Sequence, residues 1–167
     1  LYVPPLTGSA VTTSSYIRRN KYSKPAIHNS ATGANLPAGT EHSATTYNAE
    51  DVILFPHRIA PEKQVDIFHD LRQSLPQYDF IVCQEQQLTK NEYHNLLGEA
   101  KIVFSANLQE TLGISWYEGA VVDAIPMMPD RLSYSEMALA EFKYPSEWTK
   151  DFQTYLLHKQ NIIDKII

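Results

Sequence analysis

From residue 51 onward, short apolar runs alternate with segments whose apolar residues recur at helical spacing. Each run is continuously apolar, as strands buried on both faces of a sheet are. The intervening segments have the pattern of amphipathic helices: one begins at Pro61 and carries Val65, Phe68 and Leu71, and the next is opened by Thr89. The predicted strands lie near 52–56, 79–83, 101–105 and 125–128. This alternation predicts an α/β fold, a Rossmann-like doubly wound parallel sheet with helices on both faces.

The first fifty residues have a different composition. They are rich in Ser, Thr, Asn, Ala and Gly and show little hydrophobic periodicity, which predicts a polar linker or extended segment with one short strand at its start. The chain therefore divides into a polar segment at 1–50, a Rossmann-like domain at 51–145 and a C-terminal amphipathic helix at 146–167. The closing helix has an apolar strip, formed by Trp148, Phe152, Tyr155, Leu156 and Ile163.

Composition limits the classes of function. A net charge of −5 makes the chain a poor candidate for gripping a nucleic-acid phosphate backbone. Cys83 is the one cysteine, which excludes an intrachain disulfide and a cysteine-based zinc site and fits a reducing compartment, the cytoplasm. The six histidines lack the spacing of metal ligands, so no metal site is predicted. No run approaches the roughly 18 apolar residues of a transmembrane helix, and Leu1 in place of methionine indicates a fragment or trimmed chain.

Ligands of doubly wound sheets bind beyond the carboxyl ends of the strands, so the loops after the first and third strands are candidate binding loops. The first, "HRIAPEK", brings Arg58 and Lys63 to the predicted start of a helix. Two cations beside helix-terminal N–H groups are typical of a phosphate site. The alternative is that both are solvated surface residues with Glu62 as their countercharge. The neighbouring His57 is assigned a surface role, with a contact to the bound ligand as the alternative, and Asp130 and Arg131 are assigned a local pair.

The loop after the third strand leads into "ETLGISWYE", with Glu110 before and Glu118 within a helix predicted over 114–124. Glu118 lies on the stripe formed by Ile114, Val121 and Ile125. A carboxylate on an apolar stripe needs donors, which sugar hydroxyls can supply. Gly113 would let a ligand approach its backbone N–H closely. Two alternatives remain open: Ser115-x-x-Glu118 matches a capping box, and Glu110 could complement only the helix dipole.

The Glu110-x7-Glu118 spacing resembles the E-x7-E motif of retaining glycosyltransferases of the GT-B fold, especially family 4. Arg58 and Lys63 are similar to the Arg-x4-Lys phosphate-binding element of that family, and the two motifs occur in the family's order. The stretch "PMMPDRLSYSE" resembles Pro-x-x-Pro-Asn-Arg-Leu-x-Tyr-Pro-Glu of the branch that glycosylates queuosine in tRNA. The resemblance covers residues 51–137, and it departs from the family at "VCQEQQ" and "GAVVDAIP".

The resemblance implies a role for each matched residue. Arg58 and Lys63 would bind the donor diphosphate and stabilise the leaving nucleotide, and Glu110 would contact hydroxyls of the transferred sugar. Glu118 would bind the ribose, and Glu136 would help to shape the donor pocket. The backbone between the two motif glutamates would touch the sugar and phosphate, through Thr111, Leu112, Gly113 and Ile114.

Taken together, the resemblance implies the C-terminal, nucleotide-sugar-binding half of a retaining hexosyltransferase. The donor would be a UDP- or GDP-sugar, with no cofactor or metal. The N-terminal acceptor-binding half would be missing or on another chain, so we expect this chain to be inactive alone. Because the C-terminal helix of such proteins often crosses to that half, the resemblance also implies that part of the apolar strip of the closing helix is exposed or covered by a neighbouring copy. Nucleic acid would enter only as acceptor of the full enzyme. A non-catalytic nucleotide-binding module and a nucleotide-sugar epimerase remain alternatives, and the sugar, the base and the acceptor stay open.

Overall fold

A computed structural model describes residues 51–167 of the chain, which contain one sheet of five parallel strands. Its order is β2–β1–β3–β4–β5. The strands are β1 (Val52–Phe55), β2 (Asp79–Val82), β3 (Ile102–Phe104), β4 (Ile125–Pro129) and β5 (Lys143–Tyr144). The predicted α/β class, the parallel sheet and its first four strands are confirmed. The predicted polar segment at 1–50, with its short strand, lies outside the described residues.

Five α-helices accompany the strands within the described range: α1 (Val65–Ser74), α2 (Lys90–Glu99), α3 (Ile114–Val121), α4 (Ser133–Met137) and α5 (Phe152–Ile166). Side chains along a strand alternate between the two faces of a sheet. On one face, Phe55 and Phe104 pack with α1 and α5. On the other, Leu54 and Val103 pack with α2. Helices on both faces make the sheet doubly wound.

The connections diverge from the centre of the sheet. From β1 the chain passes through α1 to β2 on one side, and from β3 it passes through α3 to β4 on the other. The carboxyl ends of the adjacent strands β1 and β3 therefore mark the switch point of the topology, where open α/β sheets bind ligands. The loops that follow Phe55 and Phe104 meet there.

Helix boundaries differ from prediction in the segment after Pro61, in the closing segment and at the end of α3. The predicted helix starting at Pro61 begins instead with a 3₁₀ turn, Pro61–Lys63, because Gln64 adopts a left-handed φ of 53° before α1 starts. The predicted closing helix is divided into a 3₁₀ turn, Ser146–Thr149, and α5, whose N-terminus is capped by Asp151. By contrast, Thr89 opens α2 as predicted, since its hydroxyl accepts the Glu92 N–H in a complete capping box.

The predicted stripe on α3 does not face the core. The helix ends at Val121, and both Ile114 and Val121 are more than half exposed. The buried residues are Trp116 and Gly119. A Cβ at Gly119 would lie 2.5 Å from Cγ2 of Val103, so the helix approaches β3 through a position with no side chain. The apolar stripe is thus an outward face.

The apolar strip of the closing segment is partly buried and partly exposed, as predicted. Tyr155 is buried, and Trp148 and Ile163 pack against the core. Phe152 and Leu156 are exposed.

Candidate functional site

An open cleft lies at the switch point, between the loop after β1 and the loop after β3. Its volume is about 430 Å³, within the range of small-molecule sites. The backbone N–H of Leu108 donates to the carbonyl oxygen of Glu62 at 2.7 Å and joins the two loops. The lining residues are Arg58, Glu62, Lys63, Gln109, Glu110, Thr111 and Leu132. Four of these were predicted as site residues from the sequence: Arg58, Lys63, Glu110 and Thr111.

The centre of the cleft is an ion pair between Lys63 and Glu110. The Lys63 Nζ lies 3.0 Å from Oε2 of Glu110 and donates to the carbonyl oxygen of Gln109 at 2.7 Å. Lys63 is buried, although lysine seldom is unless it is paired. Burial opposes ionisation of Glu110, but the hydrogen bond and the charge of Lys63 outweigh it and lower the pKa of the carboxyl.

Glu110 receives two further hydrogen bonds. The side-chain nitrogen Nδ2 of Asn107 donates to Oε2 at 3.0 Å, and the backbone N–H of Thr111 donates to Oε1 at 3.1 Å. A carboxylate has about four lone-pair positions. The described residues fill three of them, so Oε1 retains one acceptor position.

Arg58 contrasts with Lys63 at the cleft rim. Its guanidinium forms an ion pair with Glu62, and its side chain is 69% exposed. The surface alternative, with Glu62 as countercharge, therefore describes Arg58 but not the buried Lys63. Exposed pairs of this kind contribute little to stability, so the Arg58 guanidinium can exchange its partner at small cost.

His57 lies beneath the cleft, so the predicted surface role is wrong. It is 7% exposed, and its Nδ1 lies 3.4 Å from Nδ2 of Asn107. Burial, followed by the charge of Lys63, lowers the pKa of His57 to about 4. The imidazole is therefore neutral at pH 7. Within residues 51–167 its Nε2 has no hydrogen-bond partner.

Two more residues of this region, Tyr134 and Arg131, were not predicted as site residues. The hydroxyl of Tyr134 lies 3.0 Å from Nδ2 of Asn107 and 3.1 Å from Oγ of Ser105. Arg131 donates to the carbonyl oxygen of Asn107 at 2.7 Å. The predicted pair of Asp130 with Arg131 is wrong, because Asp130 forms its ion pair with Lys143, at 3.0 Å.

Gly113 precedes α3 and has a φ of +71°, a conformation that favours glycine. An added Cβ would lie 2.7 Å from Cε1 of Tyr134, so packing also requires the glycine. The backbone conformation and the packing against Tyr134 therefore each account for the glycine without a ligand. Leu112 and Ile114 on either side are exposed.

Glu118 and Glu136 do not line this cleft. Glu118 is partly exposed on α3, where Oε2 accepts a hydrogen bond from the hydroxyl of Tyr93 at 3.2 Å. The capping-box alternative for Glu118 is wrong, because α3 has Gly113 as its N-cap and no capping side chain among the described residues. Glu136 is exposed on α4.

Within residues 51–167, no group of three or more His, Cys, Asp or Glu side chains is placed to hold a metal ion. No helix in that part of the chain combines the length and apolarity needed to cross a membrane.

Neither a search against models of known protein families nor a search of curated proteins finds a match for this chain. The resemblance to glycosyltransferases is therefore one of motifs, carried by Arg58, Lys63, Glu110 and Glu118. A functional proposal rests on those motifs and on the geometry of the cleft.

Proposed function

We propose that this chain is the donor-binding half of a retaining GT-B glycosyltransferase that uses a nucleotide sugar. The observation that carries the proposal is the Lys63–Glu110 pair, 3.0 Å apart in a cleft at the switch point of the sheet. A nucleotide sugar presents a diphosphate next to sugar hydroxyls, so its binding site needs a cation beside a hydrogen-bond acceptor. Lys63 and Glu110 supply these two groups side by side.

The diphosphate would bind to Lys63 and Arg58. Without ligand these cations are balanced by Glu110 and Glu62, so the four side chains carry no net charge. An incoming diphosphate would replace Glu62 at the exposed Arg58 guanidinium. In the reaction, negative charge grows on the leaving nucleotide, and fixed cations in the cleft would stabilise it.

The sugar would bind to Glu110. Its Oε1 keeps one acceptor position beside the Thr111 N–H, which suits one sugar hydroxyl. Glu118 would bind the ribose, since its carboxylate accepts one hydrogen bond within the described region, from Tyr93. The two glutamates would then contact different parts of one donor. Acceptor binding is assigned to a second Rossmann-like half, so this chain is expected to bind the donor without transferring its sugar.

Calorimetry with UDP, GDP and ADP tests the proposal. We expect weak binding of at least one nucleoside diphosphate, and an affinity reduced at least tenfold in Lys63→Met. Lys143→Met is the matched control, because Lys143 is similarly buried in an ion pair with Asp130 and does not line the cleft. The absence of heat with all three nucleotides would contradict the proposal, and so would sugar transfer by this chain alone.

A further inference from the structure

Asn107 is completely buried, yet its amide reaches the carboxylate of the open cleft. Three acceptors surround its Nδ2: Oε2 of Glu110 at 3.0 Å, the hydroxyl of Tyr134 at 3.0 Å and Nδ1 of His57 at 3.4 Å. An amide nitrogen has two hydrogens, so it can satisfy two of the three fully. Distance and charge both favour Glu110 as one of the two.

The orientation of the amide is fixed by these neighbours. A flipped Asn107 would turn its Oδ1 toward the negative carboxylate of Glu110, where two acceptors would repel each other. In the present orientation Oδ1 is buried without a hydrogen-bond partner in the described part of the chain. Leaving a buried acceptor unsatisfied costs stability. The observed orientation leaves this acceptor unsatisfied but lets the Asn107 Nδ2 donate to Glu110.

Arg131 anchors the backbone of Asn107. Its Nε donates to the Asn107 carbonyl oxygen at 2.7 Å, and Nη2 donates to that of Ala106 at 2.8 Å. Its Nη1 donates to the carbonyl oxygen of Ser146 at 2.9 Å, so the loop after β3 is tied to the turn before α5. The backbone of Asn107 is therefore held by charge-assisted hydrogen bonds from a residue of another loop.

Lys63 and Asn107 share Oε2 of Glu110 but act on it differently. Lys63 carries a charge on a long stem with freely rotating donors, whereas the amide of Asn107 is short, planar and enclosed. An ion pair with Lys63 alone would allow the Glu110 carboxylate to rotate whenever the lysine side chain moves. A fixed amide on the same oxygen, together with the Thr111 N–H on Oε1, selects one orientation and leaves one acceptor position of Oε1 open.

We infer that Asn107, anchored by Arg131, is the positioning residue that sets the orientation of Glu110, and thereby the discrimination between a nucleotide sugar and a bare nucleotide. This inference rests on the proposed function for its ligand, but the hydrogen bond on which it depends is present in the fold without one. Removing the hydrogen bond between Asn107 and Glu110 should weaken the contact to the sugar. It should leave the contact to the diphosphate unchanged, because Lys63 and Arg58 remain in place.

The test compares affinities of wild type, Asn107→Ala, Glu110→Gln and the double variant for UDP, GDP, ADP and their glucose conjugates. We expect Asn107→Ala to weaken binding of the glucose conjugate about fivefold and to change that of the diphosphate less than twofold. The double variant should show the same preference for the conjugate over the diphosphate as Glu110→Gln alone, because both changes disable one carboxylate. Additive losses in the double variant, or equal weakening of both ligands by Asn107→Ala, would overturn the inference.

Tyr144→Phe is the control, since it removes a buried hydroxyl that donates to the carbonyl oxygen of Ser105 at 2.7 Å and contacts neither Asn107 nor Glu110. It should lower stability without changing the preference between the two ligands. If Asn107→Ala does not fold, Asn107→Ser replaces it with the same expectations.

If the wild-type chain binds none of the six probes, the proposed function fails, and the positioning role is judged by NMR titration of the Glu110 carboxyl. Loss of a donor to the ionised form should move that titration to higher pH in Asn107→Ala. An unchanged titration would refute the positioning role.

Discussion

The two glutamates of the E-x7-E spacing occupy very different surroundings. Glu110 is held by Lys63, Asn107 and the Thr111 N–H at the meeting point of two loops. Glu118, on α3, accepts one hydrogen bond within the described residues, from the hydroxyl of Tyr93. The first carboxylate is built into the fold, whereas the second keeps most of its acceptor positions. We therefore expect changes around Glu110 to affect both stability and ligand binding, and changes at Glu118 to affect mainly ligand binding.

The largest expected effect comes from Lys63→Met, which removes the cation from a nearly buried pair and leaves Glu110 without its countercharge. We expect it to lower the free energy of unfolding by about 3 kcal/mol. Tyr93→Phe removes the partner of Glu118 and should cost about 1 kcal/mol. Urea denaturation of both variants measures the contrast. Equal losses would mean that the two carboxylates are embedded to the same degree.

The second effect is a loss of stability in acid, and it belongs to the Glu110 region. The pKa of His57 is lowered from 6.5 to about 4, so the unfolded chain binds this proton between those pH values while the folded chain does not. Stability should therefore fall by about 3 kcal/mol between pH 7 and pH 4. Glu110 adds to the loss below its ordinary pKa of 4.5, since its folded pKa is lowered and protonation breaks the pair with Lys63.

Denaturation curves of wild type and His57→Gln across this pH range measure the slope. His57→Gln should have a much shallower slope above pH 5, where the imidazole is the main titrating group of this network. A slope equal to that of wild type would assign the acid sensitivity to other groups.

The third effect is on affinity for nucleoside diphosphates, in which Glu118 and Glu110 are expected to differ. Glu118→Gln keeps the size of the side chain and removes its charge, so we expect nucleoside diphosphate affinity to fall about tenfold, near 1.4 kcal/mol. The melting temperature should stay unchanged, because α3 does not depend on this side chain for its N-cap. Unchanged affinity would end the ribose assignment.

The smallest effect is expected from Glu110→Gln on bare nucleotides. The sugar-binding role that the resemblance implies for Glu110 predicts an almost unchanged affinity, since a nucleoside diphosphate lacks the sugar. The ion pair sharpens this prediction, because the substitution removes the countercharge of Lys63 and leaves the cation for the phosphates. We expect affinity to rise about threefold, or about 0.7 kcal/mol. A tenfold fall would show that Glu110 contacts the nucleotide itself.

Much of the fold could be predicted because buried parallel strands are continuously apolar, as the first four are. β5 was missed because two residues, Lys143 and Tyr144, carry no periodic signal. The inward face of α3 was assigned wrongly for another reason. Its closest approach to the sheet is made by Gly119 against Val103, and hydrophobicity patterns favour large side chains over an absent one.

The site was predictable only in part. Strand ends and motif spacing placed Arg58, Lys63 and Glu110 in one cleft. The supporting residues were not found, because their contacts join positions far apart in the chain: Tyr134 lies 27 residues from Asn107, and His57 lies 50 residues from it. A lone Asn in a loop reads as a turn residue, and a Tyr in an apolar stretch reads as core. Their roles depend on tertiary contacts that local patterns do not encode.

The hydrogen bonds of Arg131 also bear on how this protein can evolve. Its guanidinium donates to the main-chain carbonyls of Ala106, Asn107, Ser146 and Thr149. Every amino acid carries that carbonyl, so Ala106 and Ser146 can be exchanged for residues of similar size without loss of these bonds. A single arginine thus holds several loops through groups that do not depend on which side chains the loops carry. Variants at these two positions, with Arg131 retained, should therefore keep the loops after β3 and before α5 joined.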